Sequence, residues 1–351
     1  MKAAFLGIIG SGKSTLLAAV SGRKLSLSGA AQIEEIVVPV PDERLDWLYN
    51  LYKPKKNVRA TIDCLDLPGL SFADDHTRTA AKRLLDQVRT SELLVLVIRA
   101  FDSAGIKAEP LKELSDLMTE MLLADLGLVE TRIDKLQKQL HKPTKDAAKQ
   151  KEELALHLKL KQTIESEKPL RTAIKTPQEI ELIKPLGFLT LKPVVVVFNT
   201  AENNPAQTFD TAGIIDSTIP VISVCAEIDY EISQLDQASK AEFMKDLGLA
   251  EPAANKFVRS CYSALGFINF FTVGDDETRA WPITAGTIAL DAAGKVHSDI
   301  KRGFIRAETM HFEDLKRIGD EKAVKAAGKM HLEGKNYIVQ DGDIICFRFN
   351  V

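Results

Sequence analysis

Short, uninterrupted apolar runs mark the chain at residues 3–6, 60–65, 93–98 (LLVLVI), 194–198 and 220–224. Between them lie stretches with helical spacing, such as Leu16, Leu17 and Val20. A strand that is apolar at every position is buried on both faces. The pattern therefore predicts a mostly parallel sheet covered by helices on either side, an α/β domain. A different period holds between about residues 111 and 185, where Leu126, Val129, Ile133, Leu136 and Leu140 recur at alternating steps of three and four. That spacing is a helix–helix seam. Pro143 interrupts it, and a second helical run continues through Leu154, Leu158 and Ile164. The two runs predict an antiparallel helical hairpin inserted into the α/β domain. Beyond about residue 265, short strand-like segments at 268–273, 337–339 and 344–349 alternate with turns such as Asp341-Gly342-Asp343, which predicts a small closing α+β domain. The expected division is 1–110 with 186–264, 111–185, and 265–351.

Composition adds little to this picture and removes some alternatives. The chain has 351 residues, 45% hydrophobic and 27% charged, an ordinary globular balance. A net charge of -3 gives no global attraction to polyanions, so any basic surface is local. One such surface is the hairpin tip, where Lys135, Lys138, His141, Lys142, Lys145, Lys149 and Lys151 outnumber Asp134 and Asp146. It reads either as a solvated helix face or as a patch for phosphate backbones of an RNA-containing partner. Cys64, Cys225, Cys261 and Cys346 are scattered without a CxxC pair, so they read as reduced thiols. Glycines and a lysine break the first apolar run, unlike a signal peptide, and no apolar stretch is long enough to span a bilayer. A cytoplasmic protein without a membrane partner is expected.

The strongest chemical signal is Gly7-Ile8-Ile9-Gly10-Ser11-Gly12-Lys13-Ser14, which fits G-x-x-x-x-G-K-[ST] between a strand and a helix. Its backbone N–H groups at a helix N-terminus favour phosphate. Gly7, Gly10, Ser11, Gly12, Lys13, Ser14 and Thr15 form the expected cradle, with Lys13 reaching the β- and γ-phosphates and Ser14 a ligand to Mg²⁺. Asp66-Leu67-Pro68-Gly69 ends the next buried strand. Asp66 there would hold the same Mg²⁺ and the Gly69 N–H would touch the γ-phosphate. Leu70 follows, where Ras-like GTPases carry a glutamine that orients water. A leucine cannot do so, which predicts slow hydrolysis or another device.

Asn199-Thr200-Ala201-Glu202 follows a buried strand, where GTPases place N-K-x-D. A glutamate is one methylene longer than the aspartate that pairs with guanine's donors, so guanine preference should weaken and ATP should be taken over GTP. Asn199 and Glu202 are the candidate base readers. The loop Ser223-Val224-Cys225-Ala226-Glu227 fits the segment that packs on the base, with Ser223, Cys225 and Ala226 as its contacts.

With these motifs in this order, and with VVPVPDERLDWL at residues 37–48, LTLKPVVVVFNTAE, Glu242-Phe243-Met244, Arg279-Ala280-Trp281, Lys301-Arg302-Gly303-Phe304-Ile305-Arg306-Ala307-Glu308 and EGKNYIVQDGDIICFRFNV, the chain resembles the YchF (Ola-type) subfamily of Obg-related P-loop NTPases. The resemblance spans nearly the whole length. It implies a G domain with an inserted helical hairpin and a C-terminal β-grasp (TGS) domain, ATP bound at least as well as GTP, Mg²⁺, and a ribosome or RNA-containing partner reached through the hairpin tip and the TGS-like domain. It makes Leu70 the family's hydrophobic substitute for the glutamine. Several positions depart from the family pattern. Gly10-Ser11 replaces Asn-Val, residues 29–34 lack the switch threonine, residues 71–81 lack glycine, and no histidine occurs in residues 102–109. His76 is a candidate stand-in for that histidine, with an exposed loop histidine as the alternative. His141 and His157 read as helix-surface residues, and Trp47 and Trp281 as packing residues. The expected activity is a slow ATPase switch in which Lys13, Gly69 and Leu70 shape the catalytic end. A non-hydrolysing nucleotide-binding scaffold and a genuine GTPase are the alternatives.

Overall fold

The computed structural model describes residues 1–25, 32–103, 105–141, 146–249 and 251–350. The chain opens with β1 (Lys2–Leu6), α1 (Lys13–Ser21), β2 (Glu34–Pro39), α2 (Glu43–Tyr52), β3 (Lys56–Val58) and β4 (Thr61–Asp66). Then come α3 (Asp75–Gln87), β5 (Leu93–Ala100), the paired helices α4 (Pro110–Leu140) and α5 (Ala147–Glu165), and the short α6 (Pro177–Ile183). After β6 (Val194–Thr200) and β7 (Val221–Val224) follow α7 (Ala226–Gln234), α8 (Gln237–Asp246) and α9 (Ala253–Ala264). The remainder is β8 (Phe267–Val273), β9 (Glu277–Thr284), α10 (Ala289–Val296), α11 (Ser298–Arg302), β10 (Phe304–His311), α12 (Phe312–Ile318), α13 (Glu321–Ala326), β11 (His331–Glu333) and β12 (Asp343–Phe349). These elements form two compact units. One comprises Met1–Ile36 with Cys64–Ala254, the other Val37–Asp63 with Asn255–Val351.

The first unit is built on a sheet in the order β2-β4-β1-β5-β6-β7, in which β1/β5, β5/β6 and β6/β7 are parallel. The all-apolar runs behave as expected: β6 is buried at every position and β5 at all but one. One face packs Leu6, Leu94, Leu96 and Ile98 against Leu85 of α3 and Leu114, Leu117 and Met121 of α4. The same layer takes in Leu70, 1% exposed. Within it α4 is fixed by Asp125, which is fully buried. Its carboxylate accepts from the Arg89 guanidinium at 2.7 Å, from the Leu189 and Thr190 N–H groups at 3.0 and 2.9 Å, and from the Thr190 hydroxyl at 2.8 Å.

Farther along α4, Val129 and Ile133 pack on Leu156, Leu160 and Ile164 of α5. The ion pairs Lys161–Glu130 and Arg132–Glu153 run in opposite order on the two helices, which makes the hairpin antiparallel. The seam on α5 is shifted from the expected phase. Leu158 is half exposed and His157 is fully buried rather than on the helix surface. The Arg132–Glu153 pair at 2.6 Å, in which Glu153 is also buried, lets that turn face inward. His157 Nδ1 donates to the Glu153 carbonyl at 2.8 Å, and burial pushes the imidazole pKa down, so it packs as a neutral ring. At the tip, Lys135, Lys138, Lys149 and Lys151 are exposed, whereas Lys142 and Lys145 lie outside the described residues.

The second unit carries a mixed sheet in the order β11-β10-β12-β8-β9-β3. Pairs β8/β9, β10/β12 and β10/β11 are antiparallel, while β12/β8 and β3/β9 are parallel. Phe270, Ile283, Ala307 and Ile345 pack beneath α10. The expected strand at 337–339 is instead a loop touching Ile288 through one bridge at Ile338, its backbone groups used by Ala289 and Thr287. Residues 37–63 belong to this unit. Arg44 of α2 bonds Asp42 at 2.9 Å and Asp341 at 2.8 Å, and Asn269 donates to Asp42 at 3.1 Å. Burial raises the Asp42 pKa, but Arg44 and Asn269 outweigh it and hold the carboxyl below the usual range. The two tryptophans pack as expected: Trp47 meets Phe312 edge-on, and Trp281 donates to Thr272.

Asp125→Ala leaves the largely buried Arg89 with Asp86 as its one carboxylate partner and the Leu189 and Thr190 N–H groups without their acceptor. It should cost about 3–5 kcal/mol, measured as a lower urea midpoint at an unchanged denaturant slope.

Candidate functional site

Where β1 ends, the chain turns through Gly7–Gly12 into α1. Gly12 caps that helix at φ 85, a left-handed conformation that favours glycine, and a Cβ there would meet Asn199 Nδ2 at 2.0 Å. The close approach has a purpose. Asn199, 5% exposed at the end of β6, donates from Nδ2 to the Ser11 carbonyl at 3.0 Å and accepts at Oδ1 from the Ala226 N–H at 3.0 Å. One side chain thus joins the phosphate loop to the loop after β7.

Lys13 is 6% exposed, and its ammonium donates to the Gly7 carbonyl at 3.3 Å. Burial lowers its pKa, opposed by the charges of Asp66 and Glu113. Ser14 Oγ donates to Asp66 Oδ2 at 2.7 Å. The Asp66 pKa is raised by burial and by Glu34, against the Ser14 bond and Lys13. Asp66 Oδ1 and Ser11 Oγ are both buried without a protein partner. An orphaned carboxylate oxygen beside a serine hydroxyl suits a hard cation that takes oxygen ligands and keeps waters, which is the behaviour of Mg²⁺. An orphaned hydroxyl and a lysine at the helix start suit phosphate. The residues present therefore fit both groups.

The DxxG segment lies against this loop. Ile9 N–H donates to the Leu70 carbonyl at 3.1 Å and Leu70 N–H to the Gly7 carbonyl at 3.0 Å. A Cβ on Gly69 would meet Ile9 Cα at 2.7 Å, so only glycine allows the approach. Leu70 turns its side chain into the core, so its contribution at this end is backbone alone. His76 is exposed on the first turn of α3.

A cavity of about 550 Å³ extends from Gly12 and Thr15 to Asn199, Glu202, Cys225 and Ala226. Ser223 does not line it, because its hydroxyl donates to the Gln207 carbonyl. The cavity also takes in Glu227 of the loop expected to pack on the base, and Phe101, Asp102 and Glu231, which sequence reasoning missed. Phe101 and Asp102 directly follow β5, a position that carried a usable signal. Glu231 lies one helical turn beyond Glu227 and carried none. Burial raises the Cys225 thiol pKa, so it lines the cavity as an apolar group. Residues 29–31 of the expected first switch lie outside the described residues.

A loop of this kind at the end of a parallel sheet, closed on a buried lysine and a Ser–Asp pair, defines a P-loop NTPase. Comparison with known proteins narrows the class. Residues 267–350 match the family model YchF-GTPase_C, described as "Protein of unknown function (DUF933)". The chain is 36% identical over 365 residues to "Ribosome-binding ATPase YchF" of Escherichia coli O157:H7, covering 100% of this chain and 99% of the relative. It is 37% identical over 367 residues to the protein of that name from Bacillus subtilis (strain 168), covering 100% of both. The solved structure of the Schizosaccharomyces pombe YchF GTPase superposes with a TM-score of 0.83 at 32% identity, covering 99% of this chain and 97% of that one. The chain belongs to the YchF family.

Asn199→Ala removes the bridge between Ser11 and Ala226 and leaves two buried backbone groups unpaired. A loss of about 1–3 kcal/mol in stability is expected. Nucleotide affinity should fall in parallel, read by thermal unfolding with and without nucleotide.

Proposed function

We propose that this chain is a Mg²⁺-dependent, ATP-preferring NTPase of slow turnover that works as a ribosome-associated switch. The observation that carries the reading is the Ser14–Asp66 bond at 2.7 Å with the second Asp66 oxygen left over, beside the buried Lys13. In this arrangement Lys13 exchanges the Gly7 carbonyl for β- and γ-phosphate oxygens, and Ser14 and Asp66 hold Mg²⁺. The metal, when bound, neutralises charge on the phosphates. The Gly69 N–H senses the γ-phosphate. At the base end, Asn199, Glu202, Cys225 and Ala226 surround a purine. Glu202, Glu227 and Glu231 make that end acidic, which suits the 6-amino donor of adenine better than the 6-carbonyl of guanine.

The ribosome reading rests on the names of the relatives and on the exposed lysines of the hairpin tip. A ribosomal partner makes the cytoplasm its compartment. Among the described residues, no helix is long and apolar enough to cross a membrane. The second unit is read as the β-grasp (TGS) module, with its mixed sheet and α10. The buried Leu70 side chain favours one alternative, a scaffold that binds nucleotide without hydrolysing it.

Titration calorimetry with ATP and GTP in Mg²⁺, followed by phosphate release on the same sample, tests the reading. ATP should bind more tightly than GTP. Lys13→Ala should weaken ATP by about tenfold or more, roughly the 1.4 kcal/mol of one charged contact. Turnover should exceed that of Lys13→Ala. Tight binding without turnover would leave the scaffold. Absence of binding to either nucleotide would end both readings.

A further inference from the structure

A second cavity, of about 460 Å³, opens beside the phosphate loop. Its wall joins Ile8 of that loop, Phe72 of the segment after Gly69, the end of β5 at Arg99, and the first turns of α4. Glu113 lines it from α4, and two observations tie this carboxylate to the phosphate end. First, it accepts from the Arg99 N–H at 3.2 Å. Arg99 lies two residues past Val97, whose carbonyl a Cβ on Gly7 would meet at 2.3 Å. Second, Glu113 and the Lys13 ammonium act on one another electrostatically, as Asp66 and Lys13 do. Lys13 therefore has two carboxylates near it. Asp66 is joined to Ser14 and committed to the metal end. Glu113 has one oxygen on a backbone N–H and its other oxygen uncommitted by any side chain described, in a cavity open to solvent.

Neither of the two expected positions, 70 and 76, brings a polar group to water at the catalytic end. Leu70 is buried in the core and His76 is exposed on α3. We propose that Glu113 orients the attacking water and takes its proton, a role that rests on the hydrolysis read above. In this step the water oxygen bonds to the γ-phosphorus. The bond from that phosphorus to the β,γ-bridging oxygen breaks, and its electron pair leaves with the nucleoside diphosphate. The water proton passes to the Glu113 carboxylate and then to solvent through the cavity.

Charge around the group supports this role. Burial raises the Glu113 carboxyl to about 7, helped by Asp116 and opposed by the Arg99 N–H, the Arg99 charge and Lys13. Arg78 of α3, paired with Glu120 of α4, Lys107 of the preceding loop, and the Lys112–Glu109 pair at the start of α4 complete the charged lining. A base with this pKa is protonated and idle below about 7 and active above it. Turnover should therefore rise with pH through that value, and the negative charge of a bound triphosphate moves the rise upward.

The test is phosphate release from about pH 5.5 to about 9 for wild type, Glu113→Gln, Glu113→Asp and Lys13→Ala. Affinity for a non-hydrolysable ATP analogue and thermal unfolding are measured alongside. Glu113→Gln keeps an oxygen for the Arg99 N–H. It should lose about 10²-fold or more in kcat, bind the analogue within about twofold of wild type, and lose the acid limb. Glu113→Asp should retain the limb at an intermediate rate, and it decides the matter if the glutamine variant fails to fold. Glu113→Gln turning over within about threefold of wild type, or keeping the acid limb, overturns the proposal. So does a fall in kcat matched by an equal fall in affinity, which marks a structural role. Wild type no faster than Lys13→Ala removes the hydrolysis reading itself, and this role with it.

Discussion

A single ammonium group, taken out of water, sets the terms for the catalytic end of the first unit. Lys13 gives up most of its hydration at 6% exposure and receives the Gly7 carbonyl and the fields of Asp66 and Glu113 in return. A cation in such a place is stable only if its neighbours are held. Asn199 holds the loop from the β6 side, and the Leu70 backbone holds it from the DxxG side. One brace comes from the end of β6 and the other from the segment that follows β4. The apolar runs that build the sheet thereby also fix the position of the charge.

The arrangement leaves oxygens over rather than short. Asp66 Oδ1 and Ser11 Oγ are buried acceptors with no protein partner. Native interiors seldom tolerate this away from sites that bind something. On the opposite flank, Glu113 of α4, whose charge acts on Lys13, is not part of any sequence motif. A 31-residue helix thus begins beside the phosphate loop and, through Asp125 and Arg89, is anchored to the end of α3. The helix that carries the exposed Lys135 and Lys138 is thus the same one that begins at the site.

What could be read from the sequence divides along range. Gly7–Ser14, Asp66–Gly69 and the apolar strands were legible because each is a local pattern with a local cause. The phase of α5 was not, because Glu153 and His157 are drawn inward by Arg132, a partner on another helix. Glu113 was invisible for the same reason, since its meaning comes from Arg99 N–H and Lys13, neither of them near it in the pattern. Ser223 sat in the right loop, yet its hydroxyl is spent on Gln207. The strands β9 and β10 were overlooked because charged residues at alternate positions break their apolar runs.

The segment Val37–Asp63 carries a consequence for biosynthesis. Its strand β3 finds its neighbour in β9, and Lys55 meets Asp276 across 221 residues of chain. At a ribosomal pace of about 5–20 residues per second, that neighbour emerges roughly 10–45 s later. Throughout that interval α2 and β3, which lie in the chain between β2 and β4 of the other sheet, wait without their partner strand. Their apolar residues, Leu45 and Leu48 among them, have no completed unit to enter. The second unit is therefore the last to close, and a chain truncated before residue 255 would be left with an unfinished loop where that unit should be.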